Sequence, residues 1–158
     1  MAEYIEKWSV VNRLIDIENE FQQYKPFHGF EHAMYRKICE AEIAIGKTQA
    51  DVIALAQMLY GEARGCTVDN QMKCVWCVLN RVDDTRFPDT IQGVLSQPNQ
   101  FYGYSPNFPV WDELKEVARD VLTRWSLEKQ GVAVERELPT EYVFFTGDGI
   151  QNNFRDVY

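Results

Sequence analysis

The run Tyr60-Gly61-Glu62-Ala63-Arg64-Gly65 puts a carboxylate where a strongly apolar segment, Val52, Ile53, Leu55, Ala56, Met58 and Leu59, gives out. If that segment is a helix, Glu62 stands near its negative end beside Met58, Leu59 and Tyr60. Partial desolvation and the helix dipole then both favour the neutral acid. Those are the conditions of a general acid. Arg64 would undo them by pairing with Glu62, but residues two apart point to different helix faces, so Arg64 is expected to bind something else. Asp69, Asp83 and Asp84 follow beyond a turn. Asp69 is the best placed of these as a second carboxylate.

Two other sets of residues invite metal chemistry. Cys74 and Cys77 form a CxxC pair, but the pair sits inside a helix-period segment, and no second CxxC or His pair at zinc spacing accompanies it. His28 and His32 are four apart, yet Pro26 and Gly29 interrupt their helix and no third ligand is evident. No metal or cofactor is expected.

The elements that must position Glu62 are mainly helical. Tyr4, Trp8, Val11, Leu14, Ile15 and Phe21 recur at helical steps up to Pro26, and a second helix is expected through Ala33, Ile38, Ala41 and Ile45, closed by Gly46. Thr48 and Asp51 suit the start of the apolar helix that ends around Arg64-Gly65. A buried helix then follows from Thr67 or Asp69 through Met72, Val75, Trp76, Val78, Leu79 and Val82. A short helix is expected from Asp89, and after it an aromatic loop, Pro98 to Pro109, carries Phe101, Tyr102, Tyr104 and Phe108. Trp111 to Trp125 is amphipathic and should end near Gly131. Tyr142 to Thr146, with Phe144 and Phe145, has strand composition before the turn-rich Gly147-Asp148-Gly149.

The chain has 158 residues and 46% hydrophobic residues, enough for a globular core without disulfide staples. Its 16 Lys and Arg against 24 Asp and Glu give a net charge of −8, which argues against nucleic acid or anionic lipid as a general partner. No run approaches the roughly 18 apolar residues of a membrane span. The first residues, Met1 to Lys7, have neither a basic n-region nor an apolar h-region, so no secretory signal is expected.

Three blocks, in order, resemble the SleB/CwlJ-type cell wall hydrolases, which include spore cortex-lytic enzymes. They are Tyr60 to Gly65, Val78-Leu79-Asn80-Arg81-Val82, and Arg86 to Ile91 with Gly93-Val94 and Gln97-Pro98-Asn99-Gln100-Phe101. The likeness covers about residues 50 to 101 and continues weakly through Tyr142 to Arg155. It implies an α+β, mainly helical, lysozyme-like domain over residues 48–158. Residues 1–47 lie outside the likeness, and their regular amphipathicity favours a helical extension packed on the core over a docking piece for a partner. The likeness also implies cleavage of peptidoglycan glycan strands between N-acetylmuramic acid and N-acetylglucosamine, with Glu62 as the catalytic acid.

Ordinary glycosidases use two carboxylates, about 5 to 5.5 Å apart for retention or roughly 6.5 to 9.5 Å for inversion. A lytic transglycosylase manages with one, closing a 1,6-anhydro ring, and the resemblance favours this chemistry. The alternatives are a muramidase-type hydrolase using Glu62 with Asp69, or a peptidoglycan-binding protein without turnover. Tyr60, Arg64, Asn80, Gln100, Phe101, Tyr102 and Phe144 are expected to contact the sugar, because aromatic faces stack on C–H surfaces and amides bond hydroxyl or acetamido groups. As plainer readings, Asn80 and Arg81 would be a helix-end amide and a surface cation, and the aromatic loop a cover on the core.

The chain departs from the family at Cys66, where an acidic residue often follows Gly65, and at Tyr102, where a small polar residue is common. With no signal evident, the protein is expected to reach the wall either as a phage-type lysin does or as the mature part of an exported enzyme.

Overall fold

In the structure, a computed structural model that describes residues 49–157, the order is α1 (49–63), α2 (Val68–Asp83), α3 (Ile91–Leu95), α4 (Asp112–Lys129), β1 (Phe144–Gly147) and β2 (Asn152–Arg155). The expected helices before Gly46, together with Cys39, His28, His32 and the Thr48 cap, lie outside the described residues. Among the described residues, no helix is long and apolar enough to cross a membrane.

Helix α1 is buried on several faces, as its composition predicts, with Val52, Ala54, Leu55, Ala56, Met58, Leu59 and Ala63 all in the core. Helix α2 is more deeply enclosed, since the consecutive residues Cys74 to Leu79 are all fully buried. It packs against α3, α4 and β1. Its start is set by Thr67, whose hydroxyl accepts from the Asn70 amide at 3.3 Å, with Asp69 in the first turn complementing the dipole. Helix α3 starts one residue later than its Asp89 signal, because Thr90 is the residue whose side chain accepts from Gly93 N–H. Helix α4 ends at Lys129, and Gly131 beyond it takes φ +83°, the left-handed exit that glycine adopts without strain.

The fully buried Trp76 sits at the centre of α2. Its indole N–H donates to Glu137 Oε2 at 2.7 Å, Glu137 Oε1 takes Arg124 at 2.6 Å, and the Arg136 guanidinium lies 4.0 Å above the ring. The large apolar surface and its one polar atom are both satisfied, which fixes the 134–138 segment against α2.

Strands β1 and β2 form an antiparallel hairpin in the register Phe144↔Arg155 to Gly147↔Asn152. Its turn is held by Asp148, whose Oδ1 accepts from the Ile150 and Gln151 amides at 2.9 Å each, with Gly149 at φ +88°. An isolated two-stranded hairpin is marginal in water. This one is tied to α2 through Asn70, whose Oδ1 accepts from Asn152 N–H at 3.1 Å and from Asn152 Nδ2 at 2.9 Å, while Asn70 Nδ2 donates to Asn152 C=O at 3.2 Å. One buried side-chain amide thus does the work of a neighbouring strand.

Replacing Asn70 by Ala leaves the buried Asn152 backbone groups without partners. Chemical denaturation of Asn70→Ala is expected to show a loss of about 2–3 kcal/mol. A loss below about 0.5 kcal/mol, within the range of an ordinary surface substitution, would refute this account of the hairpin.

Candidate active site

Helix α1 ends against the loop of residues 97–109, and the contact is backbone to backbone. A Cβ on Gly61 would lie 1.5 Å from the Gly103 carbonyl oxygen, and one on Gly103 would lie 2.8 Å from Gly61 and 2.9 Å from the Glu62 carboxyl carbon. Only glycine at both positions lets the two chains close to this distance. The closure brings Gly103 N–H onto Glu62 Oε1 at 2.7 Å. Oε2 has no hydrogen-bond partner among the described residues and is left for the cleft that Glu62 lines.

The loop is held in this path at both ends. Gln57, itself buried on α1, donates to the carbonyls of Pro106 at 2.7 Å and Phe108 at 3.1 Å. Closer to Glu62, successive turns close between Gln97 and Gln100 and between Phe101 and Tyr104. They require Asn99 at φ +61° and Phe101 at φ +48°. Asn visits this region readily, but for an aromatic residue it costs about 1–2 kcal/mol. The strain is local to the stretch that aims the Gly103 amide at Glu62.

The opposite support is Arg81, 3% exposed near the end of α2. Its Nε donates to Val143 C=O at 2.5 Å and its Nη2 to Gln100 Oε1 at 2.9 Å. Its guanidinium also lies 4.9–5.0 Å from the ring centres of Phe87, Phe101 and Phe144. A buried cation is expensive unless acceptors and π faces surround it. Here they come from the 86–101 segment and from β1 at once, so one side chain joins both walls to α2.

The resulting cleft, about 290 Å³ and open along one side, is lined by Glu62, Arg81, Asn99 to Tyr102, Phe144 to Gly147 and Arg155. Glu62, Gln100, Phe101, Tyr102 and Phe144, expected from sequence to act together, do meet here. Tyr102 projects with 84% of its surface exposed, its hydroxyl 3.3 Å from Asn99 Oδ1.

The other expected residues do not line this cleft. Asn80 is 3% exposed, and its amide is consumed by the Pro139 and Tyr142 carbonyls at 2.8 and 2.9 Å and by Arg136. Tyr60 packs on Phe108 and Trp111, at 5.3 and 5.0 Å between ring centres, so this half of the aromatic loop is a cover on the core. Arg64 turns back to donate to Tyr60 C=O at 2.9 Å and does not pair with Glu62.

The candidate second carboxylates are also engaged elsewhere. Asp69 is solvent-facing and bound to Lys73 at 2.7 Å, Asp83 takes the Trp125 indole and Lys129, and Asp84 takes Arg86. Arg86 beside it holds the Asp84 carboxyl below its ordinary value.

Sequence reasoning missed Arg81, Asn99, Gly103, Phe145, Thr146, Gly147 and Arg155 as members of the site. Arg81 was the most accessible to it. The residue lies three and four positions from Val78 and Cys77 and so shares their buried face. Gly103 contacts Glu62 across 41 residues of sequence, and nothing local announces it.

Where the acidic residue of the resembled pattern would stand, Cys66 is half-buried, with its Sγ 3.6 Å from Asn152 Nδ2. Burial first, and then the Asp148 carboxylate, push its thiol above the ordinary value. Cys74 and Cys77 are buried deeper, which pushes the Cys77 thiol up to about 12 and raises Cys74 as well. These are packing thiols, not poised nucleophiles.

Residues 66–136 match the cell wall hydrolase family. The chain is 32% identical over 84 residues to a spore cortex-lytic enzyme of Oceanobacillus iheyensis, covering 51% of this chain and 30% of that protein. With a spore cortex-lytic enzyme of Bacillus subtilis it shares 31% identity over 77 residues, 49% and 25% of the two chains, and with one of Bacillus cereus 38% over 56 residues, 35% and 22%. The chain therefore spans less than a third of the length of these relatives. No solved structure matches it. The family match takes in Arg81 and the 97–104 loop, while Glu62 lies just before it and the hairpin just after.

A methyl group at Gly61 must push the loop away. Gly61→Ala is expected to cost about 1–3 kcal/mol in stability, as overpacking does. In NMR spectra the Gly103 amide proton should shift when Glu62→Gln is introduced into the native chain and stop responding to that substitution in Gly61→Ala. An unchanged Gly103 response in that variant would contradict the described contact.

Proposed function

We propose that this chain, through the cell wall hydrolase domain that residues 66–136 carry, cleaves the glycan strands of peptidoglycan between N-acetylmuramic acid and N-acetylglucosamine. On this reading it acts at the cell wall, on a lysozyme-like fold, as a lytic transglycosylase with Glu62 as both acid and base. The observation that carries it is that Glu62 is the only carboxylate among the described residues lining the cleft.

With Oε1 held by Gly103, Oε2 delivers the proton to the glycosidic oxygen as that bond breaks. The Gly103 amide is then already in place for the charge that the carboxyl acquires, where the hydrogen bond becomes charge-assisted and stronger. The same carboxylate next takes the proton of the muramic 6-hydroxyl as its oxygen attacks C1, closing the 1,6-anhydro ring and returning Glu62 to its acid form. No water and no second carboxylate enter the reaction. Phe101, Tyr102 and Phe144 offer rings for the C–H faces of the sugars, and the Gln100 amide, oriented by Arg81, faces the same cleft.

The engagement of Asp69, Asp83 and Asp84 elsewhere supports this route over a two-carboxylate hydrolase. The test is mass spectrometry of soluble fragments from purified peptidoglycan treated with the native chain and with Glu62→Gln. Fragments lighter by one water than the hydrolysis products are expected, with at least a thousandfold loss in the variant, since a positioned acid–base group contributes about 10²–10⁴-fold per step. Fragments with ordinary reducing ends would establish a muramidase-type hydrolase instead. Glycan binding without fragments would establish a binding module.

A further inference from the structure

The described residues hold a strong bias in how their cations are used. In a chain of net charge −8, nearly every lysine and arginine among them has a partner: an acidic side chain, a carbonyl oxygen, a ring or another polar group. Arg155 is the exception. Its guanidinium makes no ion pair and no side-chain hydrogen bond with any described residue, although its backbone is fixed by Phe144 across the hairpin and by the Val143 amide at 3.2 Å. It is exposed, and it lines the cleft of Glu62.

The lining of that cleft reverses the charge balance of the chain. Two guanidiniums, Arg81 and Arg155, stand against one carboxylate, Glu62. Arg81 is enclosed by rings and carbonyl acceptors, so its charge sets a field; Arg155 is the group that can reach a ligand. A guanidinium without an internal partner on a rigid strand is a forked donor matched to a carboxylate.

We propose that Arg155 binds an ionised carboxylate of the bound strand and so makes the cleft selective for acidic glycans. The inference rests on the glycan reading above. On such a strand the carboxylate has two sources. One is the lactyl side chain of muramic acid where no peptide is attached, and the other is the peptide where one is.

The experiment measures equilibrium binding, so that it is independent of turnover. Glu62→Gln protein, alone and with Arg155→Gln or Arg155→Lys added, is titrated with soluble strands of four kinds: peptide-bearing, stripped of peptide, and each of these with its carboxyls converted to amides. The expected result is that Glu62→Gln protein prefers an acidic strand over its amidated form by about tenfold, the size of one charge-assisted hydrogen bond at a partly exposed site. Adding Arg155→Gln should erase most of that preference, and Arg155→Lys should retain part of it. Which acidic strand shows the effect identifies the lactyl or the peptide carboxylate as the group bound.

Equal binding of acidic and amidated strands, or a preference that survives Arg155→Gln, would overturn the proposal. A strand that binds with this dependence but is never cut by the native chain would overturn the proposed function and leave Arg155 as the carboxylate contact.

Discussion

The arrangement of the site depends on one close approach, that of Gly61 to Gly103. Helix end and loop meet with no side chain between them, and the amide of Gly103 reaches the Glu62 carboxyl as a result. Such a contact supplies little energy itself, about 0.5–1.5 kcal/mol net for one hydrogen bond. What it supplies is direction. With one oxygen held, the carboxyl cannot rotate freely, and the remaining oxygen faces the cleft. The loop accepts a left-handed Phe101 to make this possible, and Gln57 and Arg81 hold the strained stretch from either side.

Behind that contact, helix α2 acts as the frame. Its successive residues Asn80 and Arg81 reach different partners: Asn80 takes the carbonyls at Pro139 and Tyr142, and Arg81 takes Val143 and Gln100. Asn70, three turns earlier, holds the start of β2. Each is a buried polar group satisfied by backbone far away in sequence, and each is costly to leave unpaired. The tail that follows α4 contains little regular structure, so these bonds, more than strand pairing, give the hairpin wall of the cleft its position.

What was legible in the sequence follows from this division of labour. Helices α1, α2 and α4 declare themselves through apolar periodicity, because each buries a stripe that local spacing encodes. Glu62 declares itself by the block around it. Strand β2 does not, since Asn-Asn-Phe-Arg has little strand propensity and is extended because Asn70 holds it from outside. The sequence puts Asn80 among the sugar-contacting residues and offers a surface cation only as the plainer reading of Arg81, whereas Asn80 is consumed by carbonyls and the buried residue lining the cleft is Arg81. An amide at a helix end looks available in one dimension. Only the returning chain near Tyr142 shows that it is occupied. The aromatic loop divides for the same reason, Phe108 covering Tyr60 while Phe101 and Tyr102 reach the cleft.

The electrostatics also separate by distance. A net charge of −8 repels an anionic wall polymer at long range, but that repulsion is screened over about 8 Å at physiological ionic strength. Inside the cleft the balance is different: its lining holds one carboxylate and two arginines, while several described acids outside it are paired, Asp69 with Lys73, Asp112 with Lys115, Asp120 and Glu137 with Arg124. Exposed pairs of this kind add little stability. The field inside the cleft is set at short range by the few charged groups that line it. A single carboxyl, held by one amide and sharing the cleft lining with two arginines, then sits in surroundings that the overall composition does not describe. Recognition in such a cleft depends on short-range stacking and hydrogen bonds, not on steering from solution.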